Sequence, residues 1–227
     1  MRISILAATL FLLAISTRLH ADVVYSLGAG ANSSSVIDST WKLGQSFTNT
    51  SATGGIQELK TYLSKQGTIG GTLIARVYDA GGTSGNYVPQ TSSPITSATL
   101  DASTLGAQGY YSFTNFSAHS LTSGNRYVFV LDFSSVTGLG GSNAINFFQG
   151  SGTGVGVTGQ NAVNNTSGTW DPNNTYNYSA VVSVPEPGTL PLASLSAASA
   201  GAGIWWRKRR KSSLATKNGT HVPKAGS

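Results

Sequence analysis

Cysteine is absent from this chain of 227 residues. The absence excludes disulfides, thiolate nucleophiles and cysteine-ligated zinc sites, so packing alone must hold the fold. Charged side chains are also few, at 10% of the residues. The sequence therefore lacks the charge excess of disordered proteins, and its length and 39% hydrophobic content predict one sizeable folded domain.

Histidine is nearly as scarce, because only His119 lies between the two terminal segments. One imidazole cannot build a multi-histidine metal site. No Gly-x-Ser-x-Gly elbow precedes a helix, so a Ser-His-Asp triad has no sequence support either. We interpret His119 as an exposed loop residue.

The acidic residues show no catalytic spacing. Glycoside hydrolysis needs two carboxylates across a cleft, but the seven acids between residues 22 and 184 are scattered through turns and strand ends. Asp101 and segment 171–174 offer oxygen ligands for calcium, although Asx turns are the favoured interpretation.

The glycine-rich run 150–159 lacks the Lys-Ser/Thr of a phosphate-binding loop, and we interpret it as a flexible loop. We predict no catalytic residues, no cofactor and no metal site, and so a protein that is not an enzyme.

The formal net charge of +6 and the isoelectric point of about 9.7 would suit a nucleic-acid-binding protein, but the charges are unevenly distributed. Between residues 22 and 184, five basic residues accompany seven acidic ones, which gives a net charge of −2. The basic excess comes from one cluster, Arg207, Lys208, Arg209, Arg210 and Lys211. Because phosphate binding requires basic residues on the folded domain, we expect no nucleic-acid partner.

The N-terminus has the anatomy of a signal peptide. Arg2 precedes an apolar stretch over residues 3–15, and a polar segment then ends at the small residue Ala21. This apolar stretch is short for a membrane span and suits a cleaved signal. We predict a signal helix in a signal peptide 1–21 that is cut after Ala21; an uncleaved N-terminal anchor is the alternative.

Residues 22–183 are predicted to form an all-β domain. Short segments rich in Val, Ile, Thr, Tyr and Phe alternate with Gly, Ser and Asn clusters. The predicted strands cover residues 23–27, 45–48, 56–64, 72–78, 95–100, 110–116, 126–133, 144–148 and 176–184. No amphipathic helix interrupts them, so the pattern favours an antiparallel β-sandwich, jelly-roll-like, over a closed barrel or an outer-membrane barrel.

Aromatic residues beside predicted loops offer a possible sugar-binding surface. Trp41, Trp170 and Tyr176 lie near Asn- and Ser-rich segments. Sandwich domains can stack such rings on sugars while amides and carboxylates bind the hydroxyls. These three residues are the tentative sugar contacts.

The composition changes at Val184, where the sequence of residues 184–211 is VPEPGTLPLASLSAASAGAGIWWRKRRK. Proline stops a sheet because it cannot donate to the ladder. Residues 190–206 carry no charge and would extend about 26 Å as a helix at ~1.5 Å per residue, the lower limit for a membrane span. The basic cluster that follows suits a cytoplasmic flank, and residues 212–227 are expected to form a disordered cytoplasmic tail. A disordered Ala/Ser linker is the alternative for the apolar segment.

Residues 184–211 resemble the PEP-CTERM sorting signal. The shared parts, in order, are a Pro-Glu-Pro motif, a short apolar helix and a basic stop, and the motif residues are Val184, Pro185, Glu186 and Pro187. The resemblance implies a membrane-held precursor that an exosortase, a membrane-embedded transpeptidase-like enzyme, cuts near the motif. It also implies transfer to the cell surface or the exopolysaccharide matrix.

The preceding domain resembles the choice-of-anchor β-sandwich modules attached to such signals. The similarity lies in segments 41–48, 72–79 and 121–133. These modules imply a fold but no general activity. The predicted function is that of an exported surface or matrix protein whose partners are an exosortase-type enzyme, the membrane and possibly exopolysaccharide. The alternatives are a carbohydrate-binding matrix adhesin and a polysaccharide-acting hydrolase.

Overall fold

The computed structural model describes residues 21–51, 54–90 and 92–185, which all belong to one compact unit. Most of the predicted signal peptide lies outside these residues. So do Glu186 and Pro187 of the motif, the predicted membrane helix, the basic stop 207–211 and the tail 212–227.

The described residues form thirteen strands and one short 3₁₀ turn, Ala102–Thr104. The strands are β1 (Ala21–Val36), β2 (Lys42–Thr48), β3 (Glu58–Gln66), β4 (Gly70–Gly81), β5 (Val88–Pro89), β6 (Thr96–Asp101), β7 (Gly109–Phe113), β8 (Arg126–Asp132), β9 (Val136–Thr137), β10 (Ala144–Val155), β11 (Ala162–Asn165), β12 (Asp171–Asn173) and β13 (Ala180–Pro185). Within this part of the chain, no helix is long and apolar enough to cross a membrane.

The strands build two antiparallel sheets. Sheet A has the order β10-β1-β13-β3-β7, with a further pairing between β10 and β3. Sheet B has the order β12-β11-β2-β8-β4-β5, and β6 and β9 also pair with β4. Both sheets contribute to one main core, so the architecture is a β-sandwich, which confirms the predicted all-β class.

Strand β8 shows how side-chain alternation builds two apolar layers. Tyr127, Phe129 and Leu131 point into the main core, because successive side chains of a strand face opposite sides. Val128 and Val130 belong instead to a second buried group on the other side of sheet B. We call that group the outer cluster; its buried members are Tyr78, Tyr87, Val128, Val130 and Val163. Burial on both faces explains why β8 is almost entirely apolar.

The main core is dominated by aromatic and leucine side chains. Phe113 and Leu59 enter it from sheet A, and Phe47 and Phe129 enter it from sheet B, all fully buried. The rings of Phe47 and Phe129 lie 6.5 Å apart. Truncating one such phenylalanine to alanine typically costs about 3–5 kcal/mol, so this layer supplies much of the stability that a disulfide-free domain needs.

All nine predicted strands overlap observed ones, but three details differ. Four short strands, β5, β9, β11 and β12, were not predicted. The glycine-rich run expected to be a flexible loop is in part a strand, because β10 continues to Val155 along β1. The last strand extends to Pro185, beyond the expected domain boundary at residue 183, since its final residues pair with the start of β1.

Candidate functional site

The two ends of the described domain meet in sheet A. Ala21 pairs with Pro185, and Asp22 pairs with Val184. We call these four residues the terminal junction. The Asp22 carboxylate accepts a hydrogen bond of 2.7 Å from the Ser51 hydroxyl, which ties the first strand to the neighbouring loop. The chain thus enters and leaves the fold at one point.

The motif residues Val184 and Pro185 belong to the sheet. The predicted strand 176–184 already reached Val184, and the observed β13 includes both Val184 and Pro185. The Val184 side chain is fully buried in the main core. Val184 therefore contributes to the stability of the domain, whatever else the motif does.

A cavity of about 430 Å³ lies beside the terminal junction and is lined by Ala21, Gln57, Glu58, Thr114 and Ser183. The Glu58 carboxylate lies 3.1 Å from the Lys60 ammonium, and both side chains are partly exposed. Glu58 is the one acidic side chain in this lining, so the cavity lacks the two carboxylates that glycoside hydrolysis requires.

The three tentative sugar contacts do not form one exposed platform. Trp41 and Tyr176 are partly buried and pack against the main core. Trp170 packs against the outer cluster, on the other side of sheet B. The edge of Tyr176 also contacts the Tyr178 ring, with centroids 5.4 Å apart and planes at 77°. Packing thus accounts for all three residues.

Tyr178 anchors a buried polar network behind Tyr176. Its hydroxyl lies 2.9 Å from the Ser34 hydroxyl and 3.1 Å from the amide oxygen of Asn164. Its backbone carbonyl accepts a hydrogen bond of 2.8 Å from the Tyr25 hydroxyl. Burial raises the pKa of both phenols well above the ordinary value, so both stay protonated and serve the fold.

A different aromatic group lies across the outer face of sheet A. Tyr62 of β3 sits opposite Tyr110 of β7, and their rings meet edge to face with centroids 4.9 Å apart. Phe148 of β10 contacts Tyr62 on the other side at 5.4 Å. We call Phe148, Tyr62 and Tyr110 the tyrosine row. Tyr110 is 44% exposed, and its hydroxyl lies 3.3 Å from that of Ser179.

The sequence contained part of the signal for this row. Alternation over segment 56–64 places Glu58, Lys60, Tyr62 and Ser64 on one face of the strand. What sequence reasoning missed is the partner strand, because β3 and β7 are paired across more than forty intervening residues. The tyrosine row thus forms because the fold pairs strands that are distant in the sequence.

One buried carboxylate, that of Asp132, lies on the side of sheet B that faces away from the main core. The Arg76 Nε atom lies 2.9 Å from the Asp132 carboxylate, and the Lys42 ammonium lies 4.0 Å from it. Burial alone would raise the pKa of Asp132. Hydrogen bonds from Ser134 and the charges of Lys42 and Arg76 outweigh burial, so the pKa lies below the ordinary value. Asp132 is therefore ionised and paired with cations at neutral pH, and we assign it a role in stabilising the fold.

His119 is partly buried and holds two loops together, which corrects the expectation of an exposed residue. The Ile56 backbone N–H donates to its Nε2 atom at 2.6 Å. Because Nε2 accepts, the neutral ring carries its proton on Nδ1 and donates it to the Ser117 carbonyl, also at 2.6 Å. Both ring nitrogens are thus used in structural hydrogen bonds.

The possible calcium ligands form turns. Asp101 accepts a hydrogen bond of 2.9 Å from the Ser103 backbone N–H and caps the 3₁₀ turn. The amide oxygen of Asn173 accepts from the backbone and side chain of Thr175 at 2.9 and 2.6 Å. Among the described residues, no group of three His, Asp or Glu side chains is arranged to hold a metal ion.

The chain matches no protein-family model and no curated protein.

Proposed function

We propose that this chain is an exported bacterial envelope protein that is held in the membrane by its C-terminal segment and processed at its Pro-Glu-Pro motif. In this proposal, residues 1–21 are a cleaved signal peptide and residues 190–206 form a transmembrane helix that ends at the basic stop. An exosortase-type enzyme is the processing partner. The released product is a surface or exopolysaccharide-matrix protein with a jelly-roll-like sandwich.

The observation that supports this proposal best is the terminal junction. The folded domain begins at Ala21, where the sequence has signal-peptide anatomy, and ends at Pro185, inside the motif. Among the described strand residues, only Ala21, the first residue of β1, would be removed with the signal peptide or with the chain after Pro185. Removal of both segments would therefore leave the core and nearly all of the strand pairing intact.

Catalysis is not part of the proposed function. Glu58 lines its cavity as a lone carboxylate paired with Lys60. Both nitrogens of His119 are used in hydrogen bonds between loops, and Asp132 is paired with two cations. A catalytic acid or base needs a free proton site within reach of a substrate, and the structural roles of these three residues argue against that use.

The test is intact mass and cell fractionation in the native host. The wild type should be released without residues 1–21 and without the basic stop. A Glu186→Ala, Pro187→Ala variant should stay in the membrane fraction with its tail attached. Ser212→Ala, a change beyond the basic stop, serves as the control and should behave like the wild type. Identical partitioning of all three proteins, each retaining residues 207–211, would refute the proposal.

Carbohydrate binding is a second candidate function, and the tyrosine row favours it. Tyr110 is exposed on the outer face of sheet A, and its hydroxyl lies 3.3 Å from that of the buried residue Ser179. Aromatic rings flanked by hydroxyl groups can stack on and hydrogen-bond to a sugar. The sequence-based candidates Trp41, Trp170 and Tyr176 lie outside this row.

Calorimetric titration of the purified protein with the polysaccharide of its host tests this second candidate. Tyr110→Ala should weaken binding at least about tenfold, which corresponds to about 1.4 kcal/mol. Ile37→Ala is the control, because Ile37 is similarly exposed, at 47%, and lies outside the row. Equal affinity of Tyr110→Ala and the wild type would exclude the row as the binding surface.

A further inference from the structure

Strand β13 lies in the interior of sheet A, between β1 and β3. Val182 pairs with Tyr25 on one side and with Leu59 on the other. Ser183 pairs in the same way with Val23 and Glu58. The backbone of this strand is therefore engaged on both sides up to the start of the motif.

The side chains of β13 are as firmly held as its backbone. Val182 and Val184 are fully buried in the main core, and Ser183 is 7% exposed. Only Val181 and Pro185 are partly exposed among its last five residues. Residues 181–183 pair with both β1 and β3, whereas Val184 and Pro185 pair with β1 alone. A protease can reach a peptide bond of β13 only if the strand separates from its neighbours and its buried valines leave the core.

Enzymes that cut or transfer peptide chains bind the substrate as an extended segment, through its backbone hydrogen-bonding groups and alternate side chains. Strand β13 already pairs with β1 through residues 181–185 and with β3 through residues 180–183. The fold thus protects the peptide bonds of β13 from such an enzyme.

We propose that the folded domain confines processing to peptide bonds C-terminal to Pro185. This inference rests on the proposed function, since it assigns the boundary of the processing site. In the hydrolytic form of the step, the C–N bond of one such peptide breaks, and water supplies OH to the new carboxyl and a proton to the released amine. The product keeps β13 complete, so release leaves the sandwich folded.

Limited proteolysis of the purified full chain in detergent tests the inference without the native enzyme. Proteinase K, which has broad specificity, should first cut after Pro185 and leave a stable fragment with all of β13. First cuts within 180–185 at rates comparable to those downstream would overturn the inference. Because this readout needs no cellular processing, it decides the inference even if the proposed function fails.

Two valine variants show whether strand pairing causes the protection. Val184→Ala removes buried methyl groups at the end of β13, whereas Val181→Ala makes the same change at a partly exposed site of the same strand. Cutting of a transiently open segment follows the population of the open state. Val184→Ala should therefore raise the rate of cutting within β13 at least about tenfold, which corresponds to about 1.4 kcal/mol, and Val181→Ala should change it much less. Equal rates for both variants would contradict protection by burial.

The native product supplies the second test. The C-terminal residue of the released protein, read by intact mass, should be Pro185 or a later residue, with or without an added acceptor group. A released protein that ends before Pro185 would overturn the inference while leaving the sorting proposal intact. A protein that is never cut would instead contradict the sorting proposal.

Discussion

At the scale of single residues, Asp132 shows how few charges this fold buries and how closely they are paired. Its side chain is only 5% exposed, and it lies next to Arg76 and Lys42. Folding lowers the pKa of this carboxyl below its ordinary value of 3.8. The ionised group therefore stabilises the folded state at pH values above 3.8, and this stabilisation is lost as the pH falls through the folded-state pKa. Acid should therefore weaken the domain through this site.

Replacing Asp132 with asparagine tests that effect. Asp132→Asn keeps an acceptor for the Ser134 backbone N–H but leaves Arg76 and Lys42 without their partner charge. We expect a loss of about 1–3 kcal/mol at pH 7. The difference from the wild type should shrink below about pH 4, near the ordinary pKa of a carboxyl. Urea unfolding at pH 7 and pH 3 measures both values, with exposed Asp171→Asn as the control. A difference that does not change with pH would exclude the charge as its cause.

His119 supports a second prediction at this scale. His119→Phe keeps a ring beside Phe116 but leaves the Ile56 N–H without its acceptor, while the Ser117 carbonyl keeps only the Thr96 hydroxyl as a donor. Unpaired polar groups of this kind cost about 1–3 kcal/mol in unfolding free energy. His119→Gln, whose amide oxygen can accept from Ile56, should lose less. Urea midpoints of the two variants make the comparison, and equal losses would assign the effect to ring packing.

At the scale of elements, β10 remains a strand despite its glycines because its backbone lies close to β1. A Cβ atom at Gly154 would collide with the Ser26 carbonyl oxygen, whereas a Cβ atom at Gly28 would have its nearest contact at an ordinary 3.7 Å. The glycine at residue 154 is thus required by the close approach of two backbones. The sequence shows the glycine but not the neighbour that explains it.

Gly154→Ala should therefore disrupt the second half of β10. Overpacking at a site of this kind costs about 1–3 kcal/mol. Gly28→Ala, on the partner strand, is the matched control and should change the unfolding free energy by less than about 1 kcal/mol. Hydrogen exchange of the amides in segment 150–155 locates the effect. Unchanged protection in Gly154→Ala would mean that the strands do not approach as closely as described.

The long strands could be predicted from the sequence because each carries its own pattern. Segment 126–133 is rich in Val, Tyr and Phe, and its centre lies in the core. Strands β5, β9 and β12 have only two or three residues, too few to show an alternation of apolar and polar side chains. They form because their backbones hydrogen-bond to neighbouring strands. The tyrosine row and the burial of Val184 were missed for the same reason, since both depend on pairing between distant segments.

At the scale of the whole molecule, the described domain contains its complete core. Fragment 22–185 retains all strands except the first residue of β1, so it should fold alone and unfold within a few degrees of fragment 22–227. Fragment 22–179 lacks β13, which lies between β1 and β3, and should not fold cooperatively. Near-ultraviolet circular dichroism and thermal melts distinguish these outcomes. A cooperative melt of fragment 22–179 would show that β13 is dispensable.

Because Ala21 pairs with Pro185, the first and last described residues of the domain are neighbours in sheet A. A short linker could join Pro185 to Asp22, and the chain could be opened at an exposed turn such as 82–85. Such a circular permutant would keep every strand in place, although its first and last residues would lie elsewhere. The sandwich should therefore fold to the same strand arrangement when its polypeptide starts at a different place.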